Sequence, residues 1–158
     1  MSAEQHRYTV DVRWTGNRGE GTRSYGAYGR DHEVRAEGKP AIHGSSDPVF
    51  RGDASRYNPE DLLVASVASC HMLWYLHLAA DAGVIVTAYE DRPEGTLSLN
   101  RGQGSFTEIV LHPQVTVTAQ SDAGKAAALH ADAHRACFIA NSLNFPVRCE
   151  PRIVTETP

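Results

Sequence analysis

Nineteen consecutive residues, Leu62 to Ala80, contain no Asp, Glu, Lys or Arg, and Cys70 and His71 sit at their centre. That length approaches the roughly 20 apolar residues of a membrane span. Ser66, Ser69, His71, Tyr75 and His77 interrupt the run, and Glu60, Asp61 and Asp81 flank it where a span favours Lys or Arg. The run therefore reads as the central helix of a soluble domain, without a membrane partner. Asn58 suits the N-cap, Pro59 the first helical position, and Glu60 and Asp61 the positive end of the helix dipole. Gly83 supplies the stop. These signals predict a helix over 59–82, about 35 Å long. It is apolar on nearly every face, which a chain of 158 residues cannot easily cover alone. A second copy is expected: a homodimer.

The flanking segments read as strands and turns. "YTVDVRW" (8–14) alternates apolar and polar residues, the pattern of a half-buried strand. A glycine-rich stretch leads into a short strand, and 35–57 reads as a long turn-rich loop. "VIVTAYED" (84–91), "GTLSLN" (95–100) and "SFTEIVLHPQVTVTA" (105–119) read as strands, the last marked by Pro113 as a bulge or edge. Ser121 or Asp122 caps a second helix running toward Ser142, and "NFPVRCEPRIV" reads as one closing strand. Strands, long helix, strands, helix and strand make an α+β domain, taken as one domain over 1–158.

Fifteen basic against nineteen acidic residues, with no Lys/Arg cluster, exclude a nucleic-acid footprint. The N-terminal "MSAEQHRYTVDV" lacks the apolar core of a secretory signal, so a cytoplasmic setting is expected. There Cys70, Cys137 and Cys149 are reduced thiols, and spacing does not choose among their three pairings.

Cys70 reads equally as a core residue and as a reactive thiol. Reactivity needs a cation, because the residue lies too deep in its helix for the dipole to help. Arg18, Arg23, Arg30, Arg51 and Arg56 are the candidates. His71 points about 100° away from Cys70, which is poor for pairing. His130 and His134 share a helical face at metal-ligand spacing, but no further ligand motif accompanies them. They read as a solvated face, Cys149 as a structural residue, and neither metal nor cofactor is expected.

"NPEDLLVASVASCHML" and "AHRACFIANSLNFPV" resemble the two cysteine segments of the OsmC/Ohr family, the osmotically inducible and organic hydroperoxide resistance proteins. The resemblance spans most of 8–154 and implies an intertwined α+β homodimer, with antiparallel sheets around a long central helix. It implies an antioxidant peroxidase of the peroxiredoxin type that reduces organic hydroperoxides without a cofactor. Cys70 would be the attacking thiolate, Cys137 the resolving thiol that closes a redox-active disulfide, and Glu60 the acid that orients an arginine. Arg18, in "TGNRGEG", resembles the arginine of Ohr-like members, and Arg51, in "VFRGD", that of OsmC-like members. Phe138 stands where many relatives carry proline. The external reductant would be a lipoyl-type dithiol.

Ten residues of straight helix separate Glu60 from Cys70 by about 15 Å and about 80°. Glu60 and its arginine are therefore expected to serve Cys70 of the other subunit. The competing reading is a non-catalytic dimer that holds a small apolar ligand near Cys70.

Overall fold

The computed structural model describes residues 3–157. They form two compact units, which divide in the first turn of the long helix, between Leu62 and Leu63.

The first unit is a three-stranded antiparallel sheet of β1 (Asp11–Trp14), β2 (His32–Arg35) and β3 (Ile42–Gly44), in that order. β1 starts three residues later than its alternation predicts. Its ladder ends at the Asp11–Arg35 pair, and Tyr8 to Val10 have no strand opposite. β1 is exposed along its whole length within this chain. β3 lies inside the segment expected to be loop, as does a 3-10 turn at Pro48–Phe50. The glycine-rich stretch folds where Gly16 and Gly29 meet: the Gly29 N–H donates to Gly16 O at 2.8 Å, and the Trp14 indole donates to Gly29 O, also at 2.8 Å. A Cβ on Gly16 would stand 2.0 Å from that carbonyl oxygen.

α1 (Pro59–Asp81) matches the expected bounds to one residue. Its start is a reciprocal cap: Asp61 N–H donates to Asn58 Oδ1 at 2.7 Å, and Asn58 N–H to Asp61 Oδ2 at 3.1 Å. Gly83, at φ 72°, ends it in the left-handed conformation.

The second unit holds β4 (Val86–Glu90), β5 (Glu94–Asn100), β6 (Gln103–Leu111), β7 (Gln114–Val117), α2 (Ala123–Ala136), β8 (Val147–Cys149) and β9 (Arg152–Thr155). β5 and β6 form a hairpin whose two turn residues, Arg101 and Gly102, both have positive φ, as its tight loop requires.

Two ladders, β4-β7-β9 and β5-β6-β8, meet at a corner. Parallel partners keep one offset, from Ile109–Val147 to Val117–Thr155, and the antiparallel pairs Glu94–Val110 and Glu90–Gln114 continue one register. Three strands therefore each bend once. Pro93, Pro113 and Pro151 occupy the bends, where proline's missing N–H removes a ladder bond. This corrects two readings: "SFTEIVLHPQVTVTA" is two strands, broken at His112–Pro113, and the closing segment is two strands broken at Glu150–Pro151.

Each half of the bent sheet carries its own apolar cluster. Tyr75, Ala79, Val115, Val117, Ala126 and Ala133 pack on the β4-β7-β9 half, and Val67, Ala68, Ile109 and Leu111 on the other. α1 spans both through one buried stripe: Val67, Ala68, His71, Tyr75 and Ala79. α1 is long and apolar enough to cross a membrane by composition, and only 22% of its most apolar window is buried within this chain.

Candidate functional site: a thiol pair and a buried His–His–Cys cluster

Cys70 projects from α1, half-buried, and Cys137 is buried at the C-cap of α2. α2 is shorter than predicted. Asp122 caps it through Lys125 N–H at 2.9 Å, and Cys137, at ψ 107°, leaves the helix before a separate 3-10 turn at Ala140–Ser142. That exit leaves the Cys137 thiol buried and near enough to Cys70 for the second thiol to raise its pKa. Burial pushes the Cys137 thiol up to about 11; the N–H that Ala140 donates to its sulfur works against this, and the neighbouring Cys70 thiol works with it. The third free thiol, Cys149, lies elsewhere.

One helical turn and two turns beyond Cys70 stand Leu73, Trp74 and His77, which line a shallow apolar cavity of about 230 Å³. Phe138, 68% exposed, meets the Trp74 ring edge-on at 5.3 Å. An apolar wall thus adjoins the thiol pair. Met72, two positions from Cys70, lines a different cleft with Ser69, Tyr89 and Asp91.

The arginine candidates separate by their partners. Arg30 donates to Tyr25 O and Tyr28 O and lies over both rings. Arg56 pairs with Asp31 and Asp53, and Arg23 with Glu20. Among the described residues, Arg18 and Arg51 pair with no carboxylate, and Glu60 with no cation. Arg51, at φ 63°, passes so close to Gly26 that a Cβ there would stand 2.7 Å from its Nη1. Arg18 follows an Asn17 side chain that accepts from the Gly19 and Gly21 N–H groups.

His130 does not lie on a solvated face. It is 4% exposed and lies parallel to Tyr75, ring centroids 4.1 Å apart. Its Nδ1 is 3.0 Å from His71 Nε2, and Cys149 Sγ lies 3.7 Å from the His71 nitrogen and 3.8 Å from the His130 nitrogen. Burial lowers both imidazoles from 6.5 to about 4, helped by His134 at His71 and by His71 at His130. Burial, then Asp91 and Glu150, pushes the Cys149 thiol up to about 12. His134, the expected partner of His130, is not part of the cluster. The signal for this cluster was in α1: His71 falls four residues after Val67 and four before Tyr75, on the core stripe.

The model of the OsmC-like proteins matches residues 52–152. The chain belongs to the OsmC-like protein family. The matched span includes Glu60, Cys70 and Cys137 and begins just after Arg51. An OsmC-like protein of unknown function from Vibrio cholerae is 31% identical, with a TM-score of 0.85, over 93% of this chain and 99% of its own. An organic hydroperoxide resistance protein from Legionella pneumophila shares 21% identity and a TM-score of 0.66, over 94% and 98%. An OsmC-like protein from Mycoplasma pneumoniae shares 13% at a TM-score of 0.74, over 96% and 99%. The last two likenesses are of fold alone. A search of curated proteins finds no match. The mixed α+β architecture read from the sequence is thus the OsmC-like fold.

Proposed function

We propose that this OsmC-like chain is a thiol-dependent peroxidase for organic hydroperoxides, with Cys70 as the attacking thiolate and Cys137 as the resolving thiol. The observation that carries the reading is the juxtaposition of these two thiols, from different helices, beside an apolar wall. The name of the Legionella relative, an organic hydroperoxide resistance protein, supports the same chemistry.

The Cys70 thiolate attacks one peroxide oxygen. The O–O bond breaks, the leaving alkoxide takes a proton to become an alcohol, and the sulfur becomes a sulfenic acid. Cys137 sulfur then attacks Cys70 sulfur, and water leaves as the disulfide forms. An external dithiol, of lipoyl type in this proposal, reduces that disulfide by exchange and is itself oxidised. Leu73, Trp74 and Phe138 receive the alkyl tail.

Arg18 or Arg51 supplies the guanidinium that favours the thiolate, and Glu60 orients it. Both arginines lack a carboxylate partner among the described residues, which supports the assignment. The protein acts as a homodimer in the cytoplasm, where thiols stay reduced. Support for the dimer comes from the small buried share of α1 and from exposed Val12 and Ile85.

The test is turnover of tert-butyl hydroperoxide with dihydrolipoamide by wild type, Cys70→Ser and Cys137→Ser. Cys70→Ser should abolish turnover and Cys137→Ser should stop it after one event. Turnover unchanged in Cys70→Ser would overturn the reading.

A further inference from the structure

We propose that His71, His130 and Cys149 form a binding site for a borderline-soft divalent cation, zinc first, at the corner of the bent sheet. The site is separate from the thiol pair and does not depend on the peroxidase reading.

Three donor atoms converge: His71 Nε2 and His130 Nδ1 at 3.0 Å, with Cys149 Sγ 3.7 and 3.8 Å from them. Tetrahedral zinc has Zn–N bonds of about 2.0–2.1 Å and Zn–S bonds of about 2.3 Å. Those lengths require N···N edges of about 3.3 Å and N···S edges of about 3.6 Å. Each observed edge lies within a few tenths of an ångström of its requirement. The sulfur is nearly equidistant from both nitrogens, as ligands around one centre are. The two rings are nearly coplanar, 4° apart with centroids 5.3 Å apart, so the nitrogens face each other in one N–H···N hydrogen bond, which a cation would replace by a small rotation of the rings.

The surroundings support a ligand-binding role. Both histidines are buried, and each keeps its outer ring nitrogen, His71 Nδ1 and His130 Nε2, without a hydrogen-bond partner. Every other buried position of the α1 stripe is apolar or, at Tyr75, satisfied by Ala126 O at 2.9 Å. The ligands are held by three elements: α1, α2 and the end of β8. Tyr75 packs on one face of His130, which fixes that ring.

A half-buried carboxylate acts on Cys149 from outside the cluster. Asp91, at the bend between β4 and β5, holds His112 N–H with Oδ1 at 2.8 Å, and its Oδ2 has no partner. Its charge is felt at Cys149. Asp91 lies outside ligand reach of the three donors, so the fourth position would be left to an exogenous ligand. A cleft of about 330 Å³ lined by His130, His134, Val147 and Cys149 offers an entry path. Two histidines, one cysteine and one further position suit zinc, or cobalt as its spectroscopic stand-in, over magnesium or calcium. The metal would tie both helices to the sheet corner where the two apolar clusters meet.

The test adds Co²⁺ to chelator-treated full-length protein and reads the thiolate-to-cobalt charge-transfer band with the intense visible bands of tetrahedral cobalt. Wild type should show both at one equivalent, and Zn²⁺ should displace them. Cys149→Ser, nearly isosteric, should lose the charge-transfer band, while Cys70→Ser and Cys137→Ser keep it. Zn²⁺ should also protect Cys149, and not Cys70, from alkylation in wild type, which needs no folded variant. Absence of the band in wild type, its survival in Cys149→Ser, or alkylation of Cys149 unchanged by Zn²⁺ would each overturn the site.

Discussion

His71 Nε2 lies 3.0 Å from His130 Nδ1, where the buried stripes of α1 and α2 meet. Cys70, the preceding residue in α1, points elsewhere and meets Cys137. Two adjacent residues of one uncharged run therefore serve two sites. The 100° step between neighbours on a helix is what separates them. Each site draws a partner from α2: His130 from its buried stripe, Cys137 from the end where the helix stops.

The Cys137 thiol sets the pH dependence of disulfide closure. Burial is the main cause of its pKa of about 11. The thiolate fraction, and with it the closure rate, should rise about tenfold per pH unit well past the ordinary thiol range. Stopped-flow closure rates after one equivalent of peroxide check this. A plateau near pH 9 would show an ordinary thiol.

Glu60 and Cys70 lie ten residues apart on one unbroken helix, which motivates a shared site in trans. Glu60→Gln and Cys70→Ser should each be inactive as homodimers. Unfolded together and refolded, random isologous pairing should restore about a quarter of wild-type sites. No recovery in the mixture would place Glu60 with Cys70 of its own chain.

Leu73 is 63% exposed and lines the apolar cavity, so Leu73→Ser should fold normally. Losing part of a buried leucine contact, about 1 kcal/mol, should raise KM for cumene hydroperoxide roughly fivefold. KM for hydrogen peroxide should not change. Parallel effects on both substrates would remove Leu73 from the alkyl site.

Gly16 tests the first unit. A methyl group there would stand 2.0 Å from Gly29 O, so Gly16→Ala must break the Gly16–Gly29 contact. Overpacking of this kind costs about 1–3 kcal/mol. Thermal unfolding should begin several degrees lower, and a melting curve identical to wild type would contradict the contact.

The long helix was legible in the sequence because its signals are local: Asn58, Pro59, Glu60 and Asp61 at one end and Gly83 at the other. The thiol pair was legible through motif resemblance and not through spacing, since 67 positions separate Cys70 from Cys137. Pro113 alone reads as a bulge or edge, because one proline cannot reveal that Pro93 and Pro151 bend the neighbouring strands at the same level. The His–His–Cys cluster is hidden in the sequence for a related reason. Its members come from three elements, and the i, i+4 spacing of His130 and His134 reads as a solvated face with no sign of His71 or Cys149. The position of His71 on the stripe from Val67 to Tyr75 was the available clue.

The most direct measurement is peptide mapping by mass spectrometry after one equivalent of tert-butyl hydroperoxide, with remaining thiols alkylated. The account predicts a Cys70–Cys137 disulfide, with Cys149 recovered as the alkylated thiol. A bridge through Cys149, or no disulfide while peroxide is consumed, would contradict it.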